Sequence, residues 1–326
     1  MTKIAFLVPG QGSQYVGMGK DLFEQSARAR EIFERADAVL GFKLSSICFE
    51  GPDEELRQTK NTQPAIFLHS AVLSMLHRGE PPAMAAGHSL GEYSALVYAG
   101  ALTFEDGLKL VRLRGELMQR AGIEQPGTMA AIVGLEPALV DEICRDASET
   151  GIVQAANFNS PGQIVISGSV AGVKRAMAFS KERGARMVKE LPVSGAFHSP
   201  LMESARMGLK EALEATTVRE ASIPVYANVT AKPVQKPEEI RQLLYQQLTS
   251  PVRWEEIIAN MVADGSRSFV EVGPGKVLQG LVKRISPDVE VRGVERLEIW
   301  RCSTTRDRQG VGKRADRWVG YLTEQH

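Results

Sequence analysis

A serine stands between two glycines in the segment Gly87-His-Ser-Leu-Gly91, a G-x-S-x-G pattern between an expected strand and an expected helix. The glycines permit a sharp turn that lifts the hydroxyl of Ser89 above a sheet. A serine at a helix N-terminus also faces backbone N–H groups, which stabilise developing negative charge. The bare pattern also arises by chance, but its position between a strand and a helix makes Ser89 a candidate nucleophile.

A serine hydroxyl reacts poorly unless a base accepts its proton, and histidine is the usual base. Three of the five histidines are terminal or lie in an expected helix: His69, His77 and His326. His88 adjoins Ser89, and adjacent side chains diverge at a tight turn. His198 lies in the loop Val193-Ser-Gly-Ala-Phe-His-Ser-Pro200, a setting typical of site residues. It is the candidate base, and a solvated loop histidine is the alternative.

Two further segments carry polar groups that suit a binding site. Arg114 lies in a mainly apolar helical stretch, where it is either a surface arginine or a bidentate clamp for a substrate carboxylate. The loop Pro9-Gly-Gln-Gly-Ser-Gln14 is not a dinucleotide loop, because the third glycine of G-x-G-x-x-G would fall at Tyr15. Since this loop follows the first strand, it suits a backbone N–H donor over the carboxyl edge of a parallel sheet.

The elements that must hold these residues alternate between strand and helix, which predicts an α/β fold with a parallel sheet. The run Ile4–Val8 is continuously apolar, as in a strand buried on both faces. The other elements predicted before residue 125 are helices at 21–40 and 64–77, a strand at 83–87, and helices at 90–99 and 103–121.

The middle of the chain predicts β-α-β-β-α-β over residues 128–191, the ferredoxin-like arrangement, inserted into the larger domain. Later elements are a helix at 200–215, a strand at 223–229, helices at 238–248 and 254–264, a strand at 268–272, a helix at 277–285 and a strand at 289–294. The predicted domains are a discontinuous catalytic domain (1–124 and 196–295), a small domain (125–195) and an atypical tail (296–326).

Composition excludes several classes of protein. The 326 residues include 39 Lys and Arg against 39 Asp and Glu, so the chain lacks the basic excess of a dedicated nucleic-acid binder. The isolated cysteines Cys48, Cys144 and Cys302 support neither a disulfide framework nor a metal site. Apolar runs are too short for a signal peptide or a membrane span, so we expect a cytoplasmic protein.

Seven segments together resemble the malonyl-CoA:acyl carrier protein transacylase family, in the family's order over residues 1–285. They are PGQGSQ (9–14), GHSLGEYSA (87–95), RG (114–115), NSPGQ (159–163), GAFH (195–198), QLTSPV (247–252) and EVGPGK (271–276). The resemblance implies an α/β-hydrolase-like large domain with a parallel sheet and an inserted ferredoxin-like small domain. The segment Leu297–His326 does not resemble the family's closing segment.

The resemblance also implies roles for individual residues. Ser89 corresponds to the nucleophile, His198 to its base and Gln247 to the residue whose carbonyl orients that histidine. The backbone N–H groups of Gln11 and Leu90 correspond to the oxyanion hole.

Other positions of the family correspond to substrate contacts. Arg114 corresponds to the residue that pairs with the malonyl carboxylate, which favours the clamp over the surface arginine. Phe197 gives the Ala-Phe-His form associated with malonyl choice in related acyltransferases. His88, Asn157 and Asn159 resemble residues that line the cleft, and no metal ligand is implied.

The activity implied is transfer of a malonyl group from malonyl-CoA to the phosphopantetheine thiol of an acyl carrier protein, through a malonyl-serine, for fatty-acid or polyketide synthesis. The alternatives are an acyl hydrolase of the same fold, a plain serine esterase, and a non-enzymatic module that docks carrier proteins. We expect a monomer with no permanently bound cofactor, an acidic carrier protein as partner, and no nucleic acid or membrane. Four basic residues are either the docking patch or a solvated face: Lys181, Arg183, Arg186 and Lys189.

Overall fold

The computed structural model of the protein describes residues 3–297, which form two β-sheets with helices packed against them. In chain order, the strands of this part are β1 (Lys3–Val8), β2 (Met84–Gly87), β3 (Gly127–Val133), β4 (Val153–Ser160), β5 (Gln163–Ser169), β6 (Met187–Glu190), β7 (Val225–Tyr226), β8 (Pro233–Val234), β9 (Ser266–Val272) and β10 (Glu290–Val294).

Helices connect most of these strands. They are α1 (Lys20–Gln25), α2 (Ala27–Leu40), α3 (Leu44–Glu50), α4 (Asp53–Leu56), α5 (Thr59–Leu76), α6 (Gly91–Tyr98), α7 (Phe104–Glu124), α8 (Pro137–Ala147), α9 (Val170–Glu182), α10 (Glu203–Ala215), α11 (Pro237–Gln247), α12 (Trp254–Ala263) and α13 (Val277–Ile285). A 3₁₀ turn at Pro200–Met202 precedes α10.

The larger sheet has the spatial order β10-β9-β1-β2-β7-β8. Its first five strands are parallel, and β8 pairs antiparallel with β7 at the edge. Along β1, Phe6 and Val8 enter the main hydrophobic core while Ala5 and Leu7 enter a second core on the other face. The continuous apolar run of this strand therefore reflects burial on both faces, as the sequence predicts.

The smaller sheet is antiparallel, with the order β4-β5-β3-β6, and α8 and α9 pack on it around a separate apolar core. This order and connectivity are those of the predicted ferredoxin-like arrangement. The fold class is confirmed as an α/β-hydrolase-like part with a ferredoxin-like part inserted. The domain limits at 124, 195 and 295 stay a prediction, and the predicted tail lies, except for its first two residues, outside the described residues.

Two predicted helices are wrong in their limits. The single helix predicted at 21–40 is two helices, because Ser26 is extended and its Oγ accepts a hydrogen bond from the N–H of Ala29 as the N-cap of α2. The helix predicted to begin at Pro64 begins at Thr59, so the proline lies inside it. Because proline has no N–H, Pro64 cannot donate the helical hydrogen bond to the carbonyl of Lys60, four residues earlier. The Lys60 carbonyl accepts a hydrogen bond from the side chain of Arg112 instead.

The strand predicted at 223–229 is only β7, Val225–Tyr226. The chain turns after Tyr226 and returns as β8. Sequence reasoning did not predict β8, α3 or α4. This early turn carries Asn228 behind the carboxyl end of β2, where it contacts the segment that bears Ser89.

Candidate active site

Ser89 occupies a sharp turn between β2 and α6. Its backbone is left-handed, with φ 52°, a conformation that costs about 1–3 kcal/mol in a residue with a side chain. Both glycines of the pattern are sterically required: a Cβ on Gly87 would lie 1.9 Å from the carbonyl carbon of Gly91, and one on Gly91 would lie 2.1 Å from the carbonyl oxygen of Val8. The strand, the turn and the helix can pack this closely only without those side chains.

The side chains of Ser89 and His198 meet although they are far apart in sequence. Ser89 Oγ lies 2.8 Å from His198 Nε2. His198 Nδ1 lies 2.9 Å from the carbonyl oxygen of Gln247 and 3.2 Å from that of Ser250. Since a carbonyl only accepts, Nδ1 carries the proton, and Nε2 is left to accept the hydroxyl proton of Ser89. His198 is buried, so the alternative of a solvated loop histidine is wrong.

The carbonyl that orients His198 belongs to the last residue of α11. The final four carbonyls of a helix have no partner within it, so that of Gln247 is available to the imidazole. The negative end of a helix dipole also favours positive charge on the ring. In the free protein, burial and then the nearby Arg114 lower the pKa of His198 to about 3, which keeps the ring neutral.

Arg114 is fully buried, so the surface alternative for this residue is wrong. Its Nη1 donates to Gln63 Oε1 at 2.8 Å, and its Nη2 donates to Ser89 Oγ at 3.1 Å and to Gln247 Oε1 at 2.9 Å. Its Nε is buried without a hydrogen-bond partner among the described residues. Nε and Nη2 form one edge of the guanidinium, and this edge can bind a carboxylate in bidentate fashion beside the serine.

Two residues behind the turn are functional candidates that sequence reasoning missed. Glu92 Oε2 accepts from Gln247 Nε2 at 2.7 Å and from the N–H of Asn228 at 3.1 Å. Asn228 accepts from the N–H of Ser89 at 2.6 Å and donates to the carbonyl of Gly87 at 2.7 Å. Glu92 lies within the GHSLGE motif and could have been found there, whereas nothing local singles out Asn228.

The loop after β1 lies against the loop after β2, because these strands are parallel neighbours with Val8 opposite Gly87. A Cβ on Gly10 would lie 2.4 Å from the carbonyl oxygen of His88, so the two loops touch. Leu90 is the N-cap residue of α6, and Gln11 is exposed. Within residues 3–297, no hydrogen bond engages the backbone N–H of Gln11 or Leu90.

The remaining predicted residues differ in how close they come to Ser89. His88 Nε2 lies 2.9 Å from Asn159 Oδ1, and the imidazole packs on Trp254 with ring centroids 5.3 Å apart. Asn157 and Phe197 are buried but make no polar contact with the serine, histidine or arginine. Asn157 instead lies opposite Val252 in an isolated parallel bridge outside the two sheets.

Other predicted features have the following outcomes in the described residues. The four basic residues at 181, 183, 186 and 189 are exposed, but Arg183 pairs with Glu142 and Asp146, so its charge is balanced. Cys48 and Cys144 are free and buried, and Cys302 lies outside the described residues. In the part of the chain that the structure describes, no cluster suited to a metal ion occurs, and no helix is long and apolar enough to cross a membrane.

Comparison with known proteins defines the class to which this site belongs. The family described as acyl transferase domain matches residues 5–299. The chain therefore belongs to the acyl transferases and, by the relatives below, to the malonyl-CoA:acyl carrier protein transacylases. The family resemblance carried by the seven motifs is thus confirmed.

The similar proteins align with most of this chain and with most of their own length. The malonyl CoA-acyl carrier protein transacylase of Bacillus subtilis strain 168 is 50% identical over 289 residues, 88% of this chain and 91% of that protein. The transacylase of Escherichia coli strain K12 is 45% identical over 288 residues, 87% of this chain and 93% of that protein.

Solved structures agree with this assignment. An acyl carrier protein S-malonyltransferase from Vibrio cholerae has a TM-score of 0.89 at 43% identity and covers 93% of this chain and 100% of that one. A malonyl-transacylase in complex with its type II polyketide acyl carrier protein has a TM-score of 0.90 at 39% identity, covering 93% of this chain and 99% of that one.

Proposed function

We propose that the protein transfers a malonyl group from malonyl-CoA to the phosphopantetheine thiol of an acyl carrier protein, through an ester on Ser89. One observation carries the proposal: Arg114 Nη2 lies 3.1 Å from Ser89 Oγ, and Nε, which has no hydrogen-bond partner among residues 3–297, lies on the same edge of the guanidinium. A malonyl ester on Ser89 is short, so its free carboxylate reaches that edge. The relatives carry the name of this activity.

In the first step, His198 Nε2 accepts the proton of Ser89 as Oγ attacks the thioester carbonyl. The positive charge of Arg114 near Oγ favours the developing alkoxide. The N–H groups of Gln11 and Leu90 are the proposed donors to the oxyanion. His198 then gives the proton to the departing sulfur of coenzyme A, which leaves malonyl-Ser89.

In the second step, the phosphopantetheine thiol gives its proton to His198 and attacks the ester, and Ser89 Oγ takes the proton back as it leaves. The carbonyl of Gln247 holds the ring in one tautomer through both steps and stabilises its transient positive charge. It thus takes the place of the carboxylate in a Ser-His-Asp triad. The exchange of one thioester for another is nearly balanced, so excluding water from the ester is the main requirement.

Preference for malonyl over acetyl groups is proposed to come from the arginine. An acetyl group leaves the buried guanidinium without its carboxylate, a loss of about 2–5 kcal/mol relative to malonyl. Phe197, buried next to His198, is proposed to limit the room for a branched acyl group. His88, Asn157 and Asn159 are proposed to shape the cleft beyond it.

The rival functions fit the site less well. An acyl hydrolase that clears simple acyl chains has no need of a buried arginine beside the serine. A plain serine esterase would place a carboxylate on Nδ1 of the histidine, where this protein has two backbone carbonyls. A docking module without catalysis would have no need of the strained backbone at Ser89 and His198.

The partner we propose is an acyl carrier protein, the kind of partner present in the complex of the related malonyl-transacylase, and we propose that it is acidic. The exposed residues Lys181, Arg186 and Lys189 are the proposed docking patch for the carrier protein, since Arg183 is already paired.

Coenzyme A and phosphopantetheine arrive with the substrates, so we propose no resident cofactor. A monomer in a reducing cytoplasm, where Cys48 and Cys144 stay free, is the expected state.

The test is labelling of the protein by radioactive malonyl-CoA, followed by addition of holo carrier protein. The wild type should form one stable adduct that passes to the carrier protein faster than it hydrolyses, and Ser89→Ala should form none. Ser94→Ala is the matched control, because Ser94 is a buried serine on α6, the helix that follows Ser89, and its Oγ has no hydrogen-bond partner among the described residues. An adduct that persists in Ser89→Ala would refute the proposal, and hydrolysis that outpaces transfer would favour the hydrolase.

A further inference from the structure

A buried carboxylate that the proposed reaction does not use lies behind the serine. Glu92 is in the first turn of α6, three residues after Ser89, and is 2% exposed. The hydrogen bonds that it accepts, from Gln247 Nε2 and the N–H of Asn228, both end on Oε2. A carboxylate this deeply buried is unfavourable unless positive charge compensates it.

The compensating charge is Arg114, and the side-chain amide of Gln247 joins the two. Arg114 Nη2 donates to Gln247 Oε1 at 2.9 Å, and Gln247 Nε2 donates to Glu92 Oε2 at 2.7 Å. A guanidinium only donates and a carboxylate only accepts, so the amide has one possible orientation. When Glu92 is ionised, the unacylated site therefore holds one buried cation and one buried anion, linked through a single amide.

Few other charges act on Glu92. Tyr93 follows it on α6, and the Arg114 guanidinium lies over the Tyr93 ring at 5.7 Å. His198 faces the same arginine from its loop and is held neutral. In the described part of the chain, no other charged group acts on Glu92 from α5, β1, β2 or β7, the other elements packed against α6.

We propose that Glu92 is a positioning residue that balances the charge of Arg114 in the unacylated enzyme and takes up one proton when an acyl group with a carboxylate binds that arginine. This inference rests on the proposed function, because it needs a malonyl group on Ser89. A second carboxylate at the guanidinium edge repels the first, and protonation of Glu92 removes the repulsion. The proton comes from solvent and binds Oε1, which accepts neither of the two hydrogen bonds.

Burial raises the pKa of Glu92 to about 7, despite the opposing effect of its hydrogen bonds and of Arg114. Near neutral pH the carboxylate is therefore close to its point of protonation before substrate arrives. A malonyl carboxylate moves it further toward the protonated form, whereas an acetyl group has no such effect. Above about pH 7, kcat/KM for malonyl-CoA should fall by up to tenfold for each unit of pH. The reason is that each acylation of Ser89 by malonyl must take one proton from a solution in which protons are scarcer.

The first experiment counts protons on the wild-type enzyme in weakly buffered solution with a pH indicator. Near pH 8, malonyl-CoA should cause uptake approaching one proton per acylated Ser89, and acetyl-CoA at the same occupancy should cause none. Near pH 5.5, where Glu92 is already protonated, neither substrate should cause uptake. Absence of uptake near pH 8 with malonyl-Ser89 formed would overturn this inference alone. Absence of malonyl-Ser89 would instead overturn the proposed function.

The second experiment measures kcat/KM for malonyl-CoA from about pH 6 to 9 in Glu92→Gln, where the glutamine oxygen keeps both acceptor contacts without the charge. The decline above pH 7 should disappear in this variant. Glu271→Gln is the matched control, a buried carboxylate on β9 that accepts from the N–H groups of Leu278 and Gln279 and makes no hydrogen bond to Ser89, His198 or Arg114, and it should keep the wild-type profile. An unchanged slope in Glu92→Gln would contradict the proposal. If that variant does not fold, the proton count decides.

Discussion

Replacement of Arg114 by alanine isolates the energy with which this site recognises a carboxylate. Two charge-assisted hydrogen bonds from Nε and Nη2 to a malonyl carboxylate are each worth about 1.5–3 kcal/mol. Part of this is offset, because Nη2 already donates to Ser89 Oγ and Gln247 Oε1 before substrate binds, whereas Nε has no hydrogen-bond partner in the described part of the chain to give up. The net difference between malonyl and acetyl is therefore about 2–5 kcal/mol.

This energy corresponds to a fall of about 30-fold to 5,000-fold in the ratio of kcat/KM for malonyl-CoA to that for acetyl-CoA. The ratio is the quantity to measure, because Arg114→Ala also leaves Gln63 and Gln247 without a donor, and that damage affects both substrates. Arg114→Lys keeps a positive charge but lacks the bidentate edge, so its ratio should lie between those of alanine and arginine.

The assay is the initial rate of labelled acyl-Ser89 formation with each CoA ester, with circular dichroism as a check on folding. In Arg114→Ala, malonyl labelling should fall far more than acetyl labelling. Equal falls for the two substrates would refute the reasoning, because the arginine would then support the fold or the serine and not the carboxylate.

Two further predictions concern stability. Gly91→Ala should lower the free energy of unfolding in urea by about 1–3 kcal/mol or more, because the new Cβ meets the backbone of Val8. The control Gly280→Ala on α13, where the new Cβ has open space around it, should raise the free energy of unfolding by about 0.5–1 kcal/mol. Equal effects of the two substitutions would contradict the steric argument. The raised pKa of Glu92 contributes stability that is present below about pH 4.5 and is lost as pH rises through about 7. The difference in unfolding free energy between wild type and Glu92→Gln should therefore shift by about 3 kcal/mol between these two pH values. A difference that does not change with pH would refute this prediction.

The parts of the fold that sequence reasoning predicted well are those governed by neighbouring residues. The apolar run of β1 and the glycines around Ser89 each act within a few residues. The helix predicted to begin at residue 103 begins as α7 at Phe104, where Thr103 is the N-cap and accepts from the N–H of Asp106. Local signals also misled where distant groups intervene: Pro64 resembles a helix start, but Arg112 satisfies the carbonyl that the proline leaves free.

The roles of the polar residues depend on contacts between distant segments. Spacing along α7 favoured a surface position for Arg114, and this was wrong, because the packing of α5, α6 and α11 around it encloses the guanidinium. Asn228 is 139 residues from Ser89 and has no local signature, yet it accepts the serine N–H. Sequence reasoning found His198 by elimination, and the structure brings its Nε2 to the serine.

By itself, then, the sequence determined that a serine would stand on a strained turn above a parallel sheet, because steric limits on backbone angles act between adjacent residues. Only the tertiary structure decided what surrounds that serine: which carbonyls hold His198, and how one amide of Gln247 joins Arg114 to Glu92. Burial and the choice of hydrogen-bond partners arise when distant segments pack together and exclude water, and that is where the charges of this site acquire their partners.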